Sequence, residues 1–216
     1  MNPLYYARKH LYSAATDGPR GAAKAAAVEA LSKAAAGLSG DRGIASRNGV
    51  AVRNIAVGAD DVFPEHKRHL VDATLEISEP GDRVVFVGGG PGVAPTRAAR
   101  ECREVIVYEA AVEMVELCGE TAELNKVDME IVHAVVEAGR EVFGTLGGAE
   151  TLRTGDLEGD VLVLDCEGAE ADILPAPQFD AVIVETHPQH GADTAELTGA
   201  EKYDTTPHEG DCLVRQ

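Results

Sequence analysis

The sequence predicts an α/β fold, a mostly parallel sheet with helices on both faces and a helical extension at the N-terminus. Three observations predict it. Short, nearly all-apolar segments recur at 83–87, 104–109, 130–136, 160–165 and 180–185, and each reads as a strand buried on both faces. Helix-length stretches at 95–102, 111–125, 141–150 and 169–174 separate them. The first strand also runs into a cluster of glycines, as a strand-to-helix turn at a ligand-binding sheet edge does.

In chain order, residues 3–15 and 19–37 read as two helices. Pro3 and Pro19 suit first-turn positions, and Gly18 and Gly37 suit stops. Ala23, Ala26, Ala27, Ala30, Leu31 and Ala34 give the second helix a weak apolar stripe, enough to dock as a cap. Residues 40–64 are glycine-rich and hold the strand-like "GVAVRNIAV". A helix is expected over 64–77, with Leu70, Val71, Thr74, Leu75 and Ile77 on its apolar side. The tail, "AEKYDTTPHEGDCLVRQ", supplies one or two last short strands. The expected division is an N-terminal helical extension and lead-in, 1–63, followed by a ligand-binding domain, 64–216.

Hydrophobic residues make up 44% of the 216, which suits a packed core rather than bulk disorder. No stretch of about 18 apolar residues occurs, and the first residues lack a signal peptide's apolar region, so a cytoplasmic protein is expected. Cys102, Cys118, Cys166 and Cys212 are scattered and form no CxxC pair, as reduced thiols would be. The net charge of −18 argues against a nucleic-acid partner, because phosphates would be repelled. Residues 1–40 nevertheless carry a net +3. These basic helices suit an acidic or membrane-borne acceptor, with peripheral membrane contact as the alternative to a purely cytoplasmic location. Six lysines beside thirteen arginines, with abundant alanine and acid, make the composition similar to that of proteins from salt-accumulating halophiles.

The chemistry-bearing stretch is "VVFVGGGPGVAPTRAARECREVIVYEA", Val84 to Ala110. After Val87 come Gly88, Gly89, Gly90, Pro91 and Gly92. Glycines serve where a turn takes positive φ or the backbone must approach a ligand. Glu109 ends the next strand, 17 residues after Gly92. Adjacent strand ends in an open parallel sheet place such a carboxylate where it can accept ribose hydroxyls. The stretch therefore asks for an adenosine-type ligand. A dinucleotide fingerprint needs Gly or Ala three residues after its second glycine, and Val93 and Pro95 stand there instead.

The GxGxG spacing resembles the first motif of class I S-adenosylmethionine-dependent methyltransferases. A second signature, "DVLVLDCEGAEADIL" at 160–174 with "FDAVIVETHP" at 179–188, resembles the FkbM family within that class. The likeness extends over about residues 64–190, through Leu124-Asn125 and "VHAVVEA". It implies a Rossmann-like methyltransferase fold with seven strands, S-adenosylmethionine as cofactor, and O-methylation of a hydroxyl on a sugar, glycan or other small acceptor. It also implies that Val87, Gly88, Gly90 and Gly92 shape the turn under the methionine part. Glu109 with Ala110 would hold the ribose, and Ala134 and Val135 would border the adenine. Asp165 would face the cofactor's amino group or the transferred methyl.

His187 is the candidate general base, with Glu185 and Glu167 as alternatives. Asp165, Glu167, Glu185 and His187 have the oxygen-rich character of a divalent-ion site, but nothing in the sequence fixes such a geometry, and no metal ligand is assigned. His133, His190 and His208 read as incidental. One departure stands out: the family commonly has an acid two residues before the first motif glycine, where this chain has Phe86. That departure keeps open a protein that binds the cofactor without turnover. Another nucleotide-binding enzyme of the Rossmann type is the remaining alternative.

Overall fold

The structure, a computed structural model, describes residues 44–53, 67–137, 145–174, 176–186, 206–207 and 212–215. The helices expected at 3–15 and 19–37, and His187, lie outside the described residues. The chain divides into two compact units, Met1–His66 and Lys67–Gln216.

In the first unit, β1 (Ile44–Arg47) and β2 (Val50–Arg53) form an antiparallel hairpin. Its two turn residues, Asn48 and Gly49, take φ of 47° and 76°. Two successive positive φ angles make the tight turn that matches strand twist, and Asn-Gly is the pair that tolerates them best.

The second unit begins with α1 (Arg68–Ile77), β3 (Arg83–Val87), α2 (Val93–Ala98), β4 (Glu104–Glu109) and α3 (Val112–Asn125). It continues through β5 (Glu130–Val136), β6 (Glu150–Leu152), β7 (Val161–Leu164), α4 (Glu170–Ile173) and β8 (Ala181–Glu185). Two short strands close it, β9 (Thr206–Pro207) and β10 (Cys212–Arg215). Its sheet has the order β6-β5-β4-β3-β7-β8-β10-β9, parallel from β6 to β8, with β10 antiparallel to both its neighbours. Among the described residues the sheet thus has eight strands, the seven expected and β6 at the edge.

Strict alternation along the strands builds two apolar layers. Val84, Phe86, Val105, Val107, Val161, Val163, Ala181 and Ile183 face Leu70 and Val71 of α1, Ala94 and Ala98 of α2, and Cys118 of α3. Val85, Val87, Leu162, Leu164, Val182 and Val184 face Leu157, Ile173 of α4, Leu174 and Phe179. Phe86, Leu162, Leu164 and Ile183 are fully buried. Each such side chain contributes about 1.5–3 kcal/mol relative to an exposed one.

The helix expected over 141–150 is corrected for its described part. Residues 145–149 form a loop and turn, and Glu150 opens β6. Gly147 and Gly148 take φ of 50° and 92°, which no right-handed helix accommodates. Three hydrogen bonds pin this loop to the start of α3, one of them from the Thr145 N–H to Glu113 Oε2 at 3.1 Å. The Val112 N–H donates to the Thr145 carbonyl at 2.9 Å, and the Thr145 hydroxyl donates to Glu113 at 2.6 Å.

Candidate active site at the carboxyl edge of the sheet

From β3 the chain crosses to β4 and β5 on one side, then returns to β7 and β8 on the other. The strand order therefore reverses at β3/β7, and ligands of open α/β sheets bind at such a reversal, beyond the carboxyl ends of the strands. Six parallel strands, β6, β5, β4, β3, β7 and β8, deliver their last residues to that edge.

The glycine turn is shaped by close approach. The Gly88 N–H donates to the Tyr108 carbonyl at 2.9 Å, and the Asp165 N–H donates to the Val87 carbonyl at 3.0 Å. Gly88 is thereby wedged between the ends of β4 and β7, at φ 86°. A β-carbon on Gly89 would lie 2.3 Å from Val107, and one on Gly92 would lie 3.1 Å from the Cys118 α-carbon. Gly90 differs. At φ 51° it faces open space, where an added β-carbon would meet no atom within 4 Å. Three of these glycines are packing requirements, and Gly90 forms the face open to a ligand.

Glu109 is buried at the end of β4, and its carboxylate reaches back to the turn. Oε2 accepts the N–H groups of Gly89 and Gly90, both at 3.0 Å, and Oε1 accepts that of Ala111 at 2.9 Å. Burial pushes its pKa above the ordinary value, and the amides of Ala111, Gly90 and Gly89 hold part of that rise back. The carboxylate is thus the organiser of the glycine turn. Beside it, the His133 Nε2–H donates to the Ala110 carbonyl at 3.1 Å, giving a role to a histidine that reads as incidental in sequence. Ala134 and Val135 continue β5 past the end of β4, where they pair with Glu150 and Thr151.

On the other side of β3 the register creates an electrostatic problem. Leu164 pairs with Val184, so Asp165 and Glu185, one step further, are neighbours on the face that α1 covers. Like charges opposite one another destabilise a sheet. Lys67, the residue before α1, resolves this by donating to Asp165 Oδ2 at 2.5 Å and to Glu185 Oε2 at 2.7 Å. His69 Nε2 faces Glu185 Oε1 at 3.2 Å, where the ring N–H donates because a carboxylate only accepts. Burial alone would lower the Lys67 pKa, but Asp165 and Glu185 outweigh it and hold the ammonium well above the lysine range. Burial alone would raise Glu185, but the Lys67 charge and the His69 contact drive it far below the carboxylate range. Glu185 is thereby committed as an anion.

The remaining expected residues fall around this cluster. Val87 is buried at the end of β3. Glu167 sits half-buried in the turn after β7, at φ 56°. Among the described residues, no group of three or more His, Cys, Asp and Glu side chains is arranged to hold a metal ion. No described helix is long and apolar enough to cross a membrane. Lys67 and His69 carry no distinguishing signal in sequence. They stand in a charged run, "EHKR" at 65–68 and the residue after it, that looks like a solvated helix start.

No family model matches the chain, and no curated protein matches it. Solved structures do. A ribosomal protein L11 methylase from Lactobacillus delbrueckii subsp. bulgaricus is 17% identical, with a TM-score of 0.50, covering 70% of this chain and 78% of that one. The fold is that of the class I methyltransferases.

Two further structures with this fold lie at lower similarity. M. jannaschii TYW2 in complex with AdoMet is 13% identical, with a TM-score of 0.43, over 65% of this chain and 60% of that one. The M. jannaschii tRNA m1G37 methyltransferase is also 13% identical, with a TM-score of 0.45, over 65% of this chain and 41% of that one. The expectation that net charge excludes a nucleic-acid partner is withdrawn. The physical reason is that −18 is a sum over the whole chain. Binding depends on the local field of one face, which the sum does not give.

Proposed function

We propose that this chain is an S-adenosylmethionine-dependent methyltransferase acting on an acceptor hydroxyl, of the FkbM kind that its β7 and β8 motifs resemble. One juxtaposition carries the reading. The open glycine turn, the Glu109 carboxylate that organises it, and Asp165 stand together at the point where strand order reverses. The open space before Gly90 is the feature that fits a cofactor, since a backbone free of side chains can be approached closely there.

In this reading Val87, Gly88, Gly90 and Gly92 line the methionine part of the cofactor. Glu109 and Ala110 stand at the ribose, and Ala134 and Val135 border the adenine. The Glu109 carboxylate already accepts the amides of Gly89, Gly90 and Ala111, and the ribose hydroxyls would share the same two oxygens. The cofactor supplies an activated methyl on a sulfonium leaving group. What the protein contributes is mainly alignment, which supplies on the order of 7–11 kcal/mol in well-oriented reactions. The hydroxyl proton goes to His187 or Glu167; Glu185, held ionised by Lys67, is too weak a base. A sugar or glycan hydroxyl is the expected acceptor.

Phe86 favours a second reading, binding without turnover. It is 1% exposed, packed in the layer under α1 and α2, so no acid stands at that point of β3. Melting curves with S-adenosylhomocysteine test the cofactor; a saturating ligand at 100 times its Kd adds about 2.7 kcal/mol. The absence of any shift, or an equal shift with NAD, overturns the methyltransferase reading. Methyl-donor consumption over sugars, glycans and RNA then separates turnover from binding alone.

A further inference from the structure

We infer that residues 145–149 form a strap that gates the entry and exit of the nucleoside at the carboxyl edge, with Glu113 as its latch. This rests on the methyltransferase reading above. The strap runs from its bonds with the start of α3 to Glu150, which opens β6. A β-carbon on Gly147 would lie 3.5 Å from the Val112 β-carbon and 3.6 Å from His133 Cε1, so the strap packs on both residues. The His133 Nε2–H donates to the Ala110 carbonyl at 3.1 Å, and His133 stands opposite Glu109 in the register of β4 and β5. Strap, histidine and Ala110 thus make one continuous row, which ends beside the carboxylate that the reading above sets at the ribose.

The strap is built to open. Residues 145–148 are exposed, so little apolar burial holds them down, and segments of that kind open locally at low free energy. Gly147 and Gly148, at φ of 50° and 92°, are the residue type that turns most freely, as a hinge requires. The Ala149 N–H donates to the Leu146 carbonyl at 2.8 Å, so the turn keeps its own shape as it moves. Among the described residues, three hydrogen bonds close the strap on α3. The Val112 N–H donates to the Thr145 carbonyl at 2.9 Å, and Glu113 accepts the Thr145 N–H at 3.1 Å and its hydroxyl at 2.6 Å. One exposed carboxylate therefore makes two of the three bonds that hold the strap shut.

Stopped-flow binding and release of S-adenosylhomocysteine test the gate. Glu113→Ala removes both carboxylate bonds, and Thr145→Val removes the hydroxyl bond alone. A gate limits both directions equally, so association and release should quicken together, by about 3- to 30-fold in Glu113→Ala, with Kd held within about threefold. Thr145→Val should give a smaller rise. Glu113→Gln, whose amide oxygen still accepts, should return most of the slow exchange. Unchanged rates in both Glu113→Ala and Thr145→Val overturn the gate. Faster release alone, with a matching rise in Kd, also overturns it, because the strap is then a wall of the pocket. If the variants fail to fold, the unaltered protein decides through hydrogen exchange of the Val112 N–H, which rests on the Thr145 carbonyl. Opening read at that amide should be at least as fast as ligand release, and slower opening overturns the gate. Failure to bind S-adenosylhomocysteine at all overturns the methyltransferase reading itself, and the gate with it.

Discussion

Gly88 and Asp165 meet so closely that a β-carbon on the glycine would lie 2.0 Å from the aspartate's backbone carbonyl oxygen. Backbone cannot yield as a flexible side chain can. Gly88→Ala should therefore force the ends of β3 and β7 apart and cost upwards of about 3 kcal/mol, among the large effects of single substitutions. Gly90→Ala has room for its methyl and retains only the cost of a left-handed residue, about 1–2 kcal/mol. Urea denaturation of the two variants should separate them clearly, and similar midpoints would mean that the turn is placed wrongly.

Gly90→Asp tests the ligand side of the same turn. Its φ of 51° is one that aspartate tolerates, so the variant should fold. The new carboxylate would fill the open space, and the melting shift with S-adenosylhomocysteine should vanish. A full shift in this variant would place the pocket elsewhere.

Glu109→Ala should destabilise the protein by about 2–4 kcal/mol, because it strands the amides of Gly89, Gly90 and Ala111 at once. Glu109→Gln keeps an acceptor for them and should cost less, while weakening nucleoside binding through loss of charge. Thermal melts give the first comparison, and calorimetry with S-adenosylhomocysteine gives the second.

The Lys67–Glu185 pair predicts a pH window. Glu185 is depressed below its ordinary 4.5, so its contribution is present above that pH and is lost as pH falls towards the folded value. Lys67 is raised above its ordinary 10.5, so its contribution holds below that pH and is lost as pH climbs past the folded value. Unfolding free energy measured from pH 3 to 11, roughly the span of these ordinary values, should decline at both ends. Glu185→Gln should flatten the acid limb. Lys67→Met at neutral pH should cost about 2–4 kcal/mol, somewhat below a fully buried pair because Lys67 is 30% exposed. An unchanged acid limb in Glu185→Gln would contradict the pairing.

Thiol labelling gives an independent check on burial. The Cys118 thiol is buried and pushed up to about 12, and burial raises Cys166 as well. Neither should react with a thiolate-selective reagent at pH 8 in the folded state, and both should react in denaturant. Rapid labelling of native Cys118 would contradict the packing of α3 against the glycine turn.

Much of the architecture was legible because it rests on period and punctuation. The strands at 83–87, 104–109 and 130–136 are where runs of branched residues place them. The strand at β6 was not legible, since three residues with one apolar side chain carry no pattern; only Gly144, Gly147 and Gly148 argued against a helix there. The Asn48-Gly49 hairpin carried a sufficient signal in its dipeptide. At the site, Glu109 and the glycines announced themselves by spacing. Lys67 and His69 could not, because their significance comes from the β7–β8 register, which sets two carboxylates side by side. No local pattern encodes that requirement.

The reversed direction of β10 has a practical consequence. Cys212 pairs with Glu185 at the rim that holds the glycine turn, whereas Arg215 pairs with Val182 near the opposite rim. There the Arg215 guanidinium is tied to the carbonyls of Ala176 and Phe179. A fluorophore or surface tether joined after Arg215 would leave the sheet on the side away from the glycine turn. An immobilised form of this protein should keep the glycine turn facing the bulk solution.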